Sequence, residues 1–322
     1  MFESIPYKTK QFLIAIIKLS IIVGATYYIY NKLLSNPKLN FSEFASFLVK
    51  NDTFSVKNVL FLLFLSIFNW FFEILKWQKL VNSIKKITFF EALEQSLGGH
   101  TASLITPNRI GDYGAKSAYY SRTHRKQIVL LNLLANMNQM AVTTLFGILG
   151  LVTFYKTYEM ELNYYKISRF LIIICAVGLF TIFGVKQSKV KIKGFSIERV
   201  INYLKNIPYK IHRHTFLLSV FRYATFSFQF YLLLQIFGVD IDYYTAMVAI
   251  SSMYFLSSII PTLAAFDVLI KTSAAVFLFS FLDIDELTIL SVSTTMWLLN
   301  FILPSVFGSY FVINFQLPKT ED

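Results

Sequence analysis

Apolar runs of membrane-spanning length alternate with short polar segments along the whole chain. A helix needs about 20 mainly apolar residues to cross a hydrocarbon core. Six segments meet or approach that length: 11–30, 58–75, 128–155, 168–185, 215–237 and 287–313. Lys18 interrupts the first, and no small-residue cleavage site follows it, so it reads as a retained helix. Two further apolar stretches are shorter and broken. Residues 91–106 run into Pro107 and the polar turn Asn108-Arg109-Ile110-Gly111-Asp112, and residues 245–260 run into Pro261. Ala92 to Ile105 makes only about 21 Å of helix at 1.5 Å per residue, short of a core of about 30 Å. Such a helix stops at mid-depth, breaks at proline and returns as a re-entrant hairpin. Two short crossings are the alternative, and either way the chain returns to the side it left.

The two broken stretches resemble each other. Phe89-Phe90-Glu91-Ala92, Pro107, Asp112 and Lys116 align with Tyr243-Tyr244-Thr245-Ala246, Pro261, Asp267 and Lys271. The second aromatic stands 17 residues before the proline in both, and Asp precedes Lys by four in both. Three full spans separate the copies, an odd number, so the repeats are expected to be inverted, a recurring plan of secondary transporters. The expected fold class is an all-α polytopic membrane protein. It has about six transmembrane helices and two oppositely oriented re-entrant hairpins. The chain, 1–322, is read as a single integral membrane domain, with repeat 1 at about 58–155 and repeat 2 at about 214–313.

Charge changes the picture in one respect. The chain is 55% hydrophobic and only 15% charged, against roughly 25% for soluble domains, yet it carries a net charge of +12. A basic excess suits either nucleic acid or a membrane protein's cytoplasmic side. The location of the charges favours the second: 18 of the 30 Lys and Arg fall in segments 1–10, 76–91, 121–127, 186–213 and 316–322. Both termini and the basic loop 186–213 are therefore expected in the cytoplasm, in a cell inner membrane, with no nucleic-acid partner. That loop is either a plain topology signal or a surface attracted to anionic lipid. Residues 39–50 look like an amphipathic helix at the opposite interface. The single Cys175 and the scattered His100, His124, His212 and His214 offer no metal set, no cofactor site and no disulfide within the chain.

Ionisable groups inside the apolar segments carry the functional hint, because each costs about 2.5–3.5 kcal/mol at mid-depth. Lys18 and Arg169 read as structural. Glu73 lies near a span end beside Lys76 and Trp77, where an interfacial ion pair is one reading. Arg109, Asp112 and Lys116, with Asp267 and Lys271, either neutralise one another as glue or form a polar cavity for a lipid headgroup. In the second case Arg109 is the phosphate contact, since its planar fork binds phosphate oxygens in pairs. Asn132, Asn136 and Gln139 share one helical face, as do Arg222 and Gln229. Glu94 completes the candidate substrate-binding set. No catalytic group set is found.

The run Glu73-x-x-Lys76-Trp77-x-x-Leu80, then Ala92, Thr106-Pro107-Asn108-Arg109-Ile110-Gly111-Asp112 and Lys116, resembles the lysylphosphatidylglycerol synthase transmembrane family. That family includes the flippase-like half of the multiple peptide resistance factor and many stand-alone proteins. Its motif residues map onto Lys76, Trp77, Pro107, Arg109, Gly111, Asp112 and Lys116. Pro261 and Asp267 fit its second element, but Thr262–Phe266 holds no glycine where the family has a Gly-rich turn. The resemblance implies movement of an anionic phospholipid or a polyprenyl-linked intermediate between leaflets. The family's aminoacyl-transferase domain is not expected, since nine residues follow Ile313. A membrane enzyme or an accessory subunit acting on lipid-linked sugars or phosphates is the other expectation, and a second copy of the chain is a compatible partner.

Overall fold

The computed structural model describes Val23 and residues 55–158 and 197–316, apart from 105, 107, 108 and 260–263, with side chains for all of these but 197, 199 and 264–269. The spans expected at 11–30 (Val23 apart) and 168–185, the segment 39–50, Lys18, Arg169, Cys175, Pro107, Pro261 and the Asp267 side chain lie outside the described residues. The described chain is helical: α1 (Val56–Val81), α2 (Phe89–Ser103), α3 (Ile110–Ala118), α4 (Arg122–Tyr158), α5 (Ile197–Asn206), α6 (Tyr209–Ile236), α7 (Tyr243–Ile259) and α8 (Ala264–Ser280), then a final rod of α9 (Glu286–Trp297), a π-helical turn (Leu298–Ile302) and α10 (Leu303–Asn314). By length and composition α1, α4, α6 and the final rod can each cross a membrane. The protein is a multi-pass membrane protein.

Helix starts follow local chemistry. Ser55 accepts from the Asn58 amide at 3.3 Å. At α2, Thr88 accepts from the Glu91 amide, and the Glu91 carboxylate accepts from the Thr88 amide at 2.7 Å, a reciprocal capping box. Asp242 and Asp285 cap α7 and α9 by accepting from Thr245 and Thr288 amides. The Thr245 hydroxyl and amide hold the exposed Asp242 carboxyl below the usual carboxylate range.

Helix boundaries differ from the sequence reading. Residues 76–81, 122–127 and 209–213, expected as loops, are the last turns of α1 and the first turns of α4 and α6. The Lys76 charge does not end α1, because Glu73 neutralises it one turn earlier and both are buried. Trp77 is likewise fully buried.

Both helix–break–helix hairpins form. Helix α2 packs on α3, and α7 packs on α8. At 15 residues α2 reaches about 22 Å, too short to cross alone. The packing between repeats is reciprocal: α2 lies along α10, α7 lies along α4, and α1 lies against α6. Added at Gly308, a Cβ would strike the Leu97 carbonyl, and added at Gly150 it would strike Ser251. Ser251 stands in α7 where Leu97 stands in α2. Ser305 accepts from Thr101 at 3.0 Å, while Gly147 presses on Phe255, the residue equivalent to Thr101. The two repeats therefore embrace through the same small-residue contacts.

Helices α1 and α6 occupy equivalent places and run antiparallel: Ser66 pairs with Gln229, whereas Glu73 pairs with Arg222. A two-fold that exchanges antiparallel equivalents lies across the helices, so the repeats are inverted.

Candidate functional site

A cavity of about 120 Å³ opens where the two hairpins face each other. Repeat 1 supplies Asn69 and Trp70 from α1, His100 from α2 and Arg109 from the break. Repeat 2 supplies Arg222, Phe226 and Phe230 from α6, Met253 and Tyr254 from α7, and Lys271 and Thr272 from α8. The final rod closes one wall with Ser293, Met296, Trp297, Asn300 and Phe301. His100 and Tyr254 are equivalent positions of the two repeats. The cavity thus takes residues from both repeats.

Arg109 is held from two directions. Its Nη2 lies 3.2 Å from His100 Nδ1, and its guanidinium stands 5.6 Å from the Phe301 ring centre. His100 Nε2 in turn lies 3.1 Å from the Phe301 carbonyl. Because arginine only donates, His100 accepts at Nδ1 and donates at Nε2, which fixes its tautomer. The Arg109 backbone sits in the left-handed region, φ 57°, at the head of α3. Two residues on, Gly111 lies against the Ala102 carbonyl so closely that a Cβ would overlap it, and the Gly111 amide donates to Thr106 Oγ1 at 2.8 Å. This is the physical need behind the Arg-x-Gly spacing.

The final rod is shaped for the same site. Pro304 has no amide to give the Asn300 carbonyl, and that carbonyl accepts from the Trp70 indole instead, at 3.2 Å. The π-turn also points the Asn300 side chain inward, where it donates to Gln229 at 2.8 Å and accepts from Asn69 at 2.9 Å.

Two ion networks stand behind the cavity wall. Glu73 Oε2 lies 2.9 Å from Arg222 Nη1 and 2.7 Å from Lys76 Nζ. Gln139 Oε1 accepts a long bond of 3.5 Å from the same Arg222 nitrogen. In the second network, Lys116 Nζ meets Asp112 at 3.1 Å and Asn132 at 3.0 Å, and Asn132 donates to Asp112 at 2.8 Å. Lys116 also caps the Trp77 ring at 4.5 Å, while Trp77 and Tyr120 both donate to Gln95.

Of the residues singled out in the sequence, Arg109, Arg222 and Lys271 meet on the cavity. Glu73 and Gln139 hold Arg222 from behind. Asp112 and Lys116 face Asn132 on α4 rather than the cavity. Asn136 donates to the Tyr113 hydroxyl at 2.8 Å. Glu94, half-buried, bonds to Tyr119 away from the cavity. Gly111 and Lys76 are packing and pairing elements of the fold. Asn69, Trp70, Tyr254, Ser293, Trp297 and Asn300 line the site without having been expected there. Only Pro304, a proline inside an apolar span, marked that wall.

A family model described as the lysylphosphatidylglycerol synthase TM region matches residues 15–308. No curated protein matches the chain.

Proposed function

We propose, from the premise that the chain belongs to the lysylphosphatidylglycerol synthase TM region family, that it carries an anionic lipid headgroup across the membrane through the cavity between its hairpins. The observation that supports this reading best is the convergence of Arg109, Arg222 and Lys271 on one space walled by membrane-length helices. Cations at that depth are costly unless they are paired or meet an anion. Arg222 has Glu73, whereas Arg109 leans on a neutral histidine and a ring face, which leaves its guanidinium able to take phosphate oxygens. Inverted hairpins around a central site fit a carrier that exposes the site to each side in turn. The basic loop 186–213 supports a reading in which the chain lies in the cell's inner membrane with that loop toward the cytoplasm.

Reconstitution tests this. Liposomes holding the purified chain and tail-labelled phosphatidylglycerol should move label between leaflets faster than empty liposomes, and Arg109→Ala should abolish the gain. No acceleration for phosphatidylglycerol or for a polyprenyl-linked phosphate contradicts the reading. Release of a cleaved or transferred product in the same vesicles would point instead to the membrane-enzyme alternative.

A further inference from the structure

The end of the molecule where α1 stops and α4 begins is built as one platform. Val81, Ile87, Tyr120, Ile128 and Ile207 are buried in a single cluster that joins the α1–α2 turn, the α3–α4 turn and the α5–α6 corner. Hydrogen bonds fix two of these pieces. Asn82 accepts from the Ile87 amide at 2.8 Å, and Gln78 donates to the Ile87 carbonyl at 3.1 Å. His212 Nε2 lies 3.1 Å from the Leu204 carbonyl, which ties α6 back onto α5.

The outer surface of the platform is basic. Lys79, Lys85, Lys86, Lys205, Lys210 and Arg213 are exposed, and among the described residues none has an ion-pair partner. The acids in residues 79–91 and 198–213 are Glu91, whose carboxylate is engaged by the Thr88 amide and hydroxyl, and Glu198. Apolar side chains stand out among the lysines: Phe90 is 63% exposed, Ile201 46% and Tyr209 78%. On α5, Tyr203 and Leu204 pack inward, while Ile201 and Lys205, one turn apart, share the outward face.

The fold itself does not require this charge. Inversion puts equivalent turns at opposite ends of the molecule. The α1–α2 turn holds Lys85 and Lys86, whereas the equivalent α6–α7 turn holds Asp240 and Asp242. The α8–α9 turn, equivalent to the α3–α4 turn, adds exposed Asp283 and Asp285. A topology signal needs basic residues on one side, but it needs no folded helix there and no exposed apolar side chains among them.

We infer that the basic platform is a docking surface for anionic lipid, holding headgroups of the leaflet at that end against α5 and the α1–α2 turn. The ammonium groups meet headgroup phosphates while Phe90, Ile201 and Tyr209 enter the boundary between headgroups and acyl chains. Continuity with the membrane-facing surface favours lipid over a soluble acidic partner. Phe89, beside Phe90, contacts Phe71, and Phe71 continues the exposed row of Phe64 and Phe68 along membrane-length α1. Docking here does not require translocation through the cavity. It gathers anionic lipid beside the hairpins.

The test uses the full chain in phosphatidylcholine vesicles with a trace of chain-spin-labelled phosphatidylglycerol or phosphatidylcholine. The motionally restricted part of the spin-resonance spectrum measures label held beside the protein. One basic side chain near an anionic headgroup supplies about a fivefold preference, which averages over an indifferent second leaflet to about threefold for phosphatidylglycerol. In 1 M salt, where screening acts within about 3 Å, the ratio should fall toward one. Lys85→Gln, Lys86→Gln, Lys205→Gln and Lys210→Gln in one chain should bring it close to one with Tm unchanged, because all four side chains are exposed. Arginine at the same four positions should keep it. Equal association of both lipids, or a preference that survives the glutamine variant, overturns the inference. A preference lost with Arg109→Ala but kept in the glutamine variant assigns the lipid to the cavity instead. Equal association together with tight binding of a polyglutamate peptide to the chain in detergent overturns it in favour of an acidic protein partner. A phosphatidylglycerol preference in vesicles that show no leaflet exchange contradicts translocation and leaves the docking surface standing.

Discussion

Arg109 is held against its own preferences in both backbone and side chain. A left-handed conformation costs a residue other than glycine about 1–2 kcal/mol. Two residues on, Gly111 presses onto the Ala102 carbonyl and holds the turn in place. Arg109→Gly should therefore melt no lower than the parent protein in detergent, while lipid movement is lost; a Tm drop of many degrees would mean that the guanidinium serves the fold instead. Glu73 has the opposite character. It lies buried between Lys76 and Arg222, so Glu73→Ala strands the buried Lys76 and the half-buried Arg222 and should cost about 3–5 kcal/mol. A melting curve checks this, and Glu73→Ala with wild-type stability would refute the buried triad. At this scale the sequence was partly readable. Asp112 and Lys116 pair across one helical turn as their spacing implies, because i, i+4 neighbours share a face. Asn69, Ser293 and Asn300 were not readable, since single polar residues in apolar runs carry no pattern until tertiary packing brings them together.

The leading arms of the hairpins lock onto α4 and α10 through small residues. Gly150 on α4 and Gly308 on α10 make equivalent contacts with the leading arms of opposite hairpins. Replacing either by leucine forces the helices apart. Each change should cost about 1–3 kcal/mol, the usual penalty of overpacking, and the two costs should be alike. Detergent-melt shifts that differ severalfold between Gly150→Leu and Gly308→Leu would contradict the symmetric embrace. The hairpins themselves were visible as prolines breaking apolar runs of matched length. The helix ends were less so: a hydropathy reading ends α1 before Lys76 because it counts a charge as solvent-facing, whereas an ion pair one turn away buries that charge at little net cost to the helix. The π-turn was missed for a related reason. Pro304 frees a carbonyl, but only the Trp70 indole across the interface shows what replaces the lost donor.

Across the whole molecule the two halves share a plan and differ in charge. The α1–α6 seam holds an ionic pair, Glu73 with Arg222, at one position and a neutral pair, Ser66 with Gln229, at its symmetry mate. Lys116 is buried against Asp112, Asn132 and Trp77, while its equivalent, Lys271, lines the cavity. The few charges inside the packed helices are the ones that shape the site.

Leaflet exchange of tail-labelled phosphatidylglycerol in liposomes, followed by dithionite quenching, tests the central claim most directly. Vesicles with the wild-type chain should lose nearly all fluorescence, since inner-leaflet label reaches the outside. Vesicles with Arg109→Gly should keep the protected half at the same protein density and fold. Full protection in wild-type vesicles, or equal loss with Arg109→Gly, would contradict a carrier that works through this cavity.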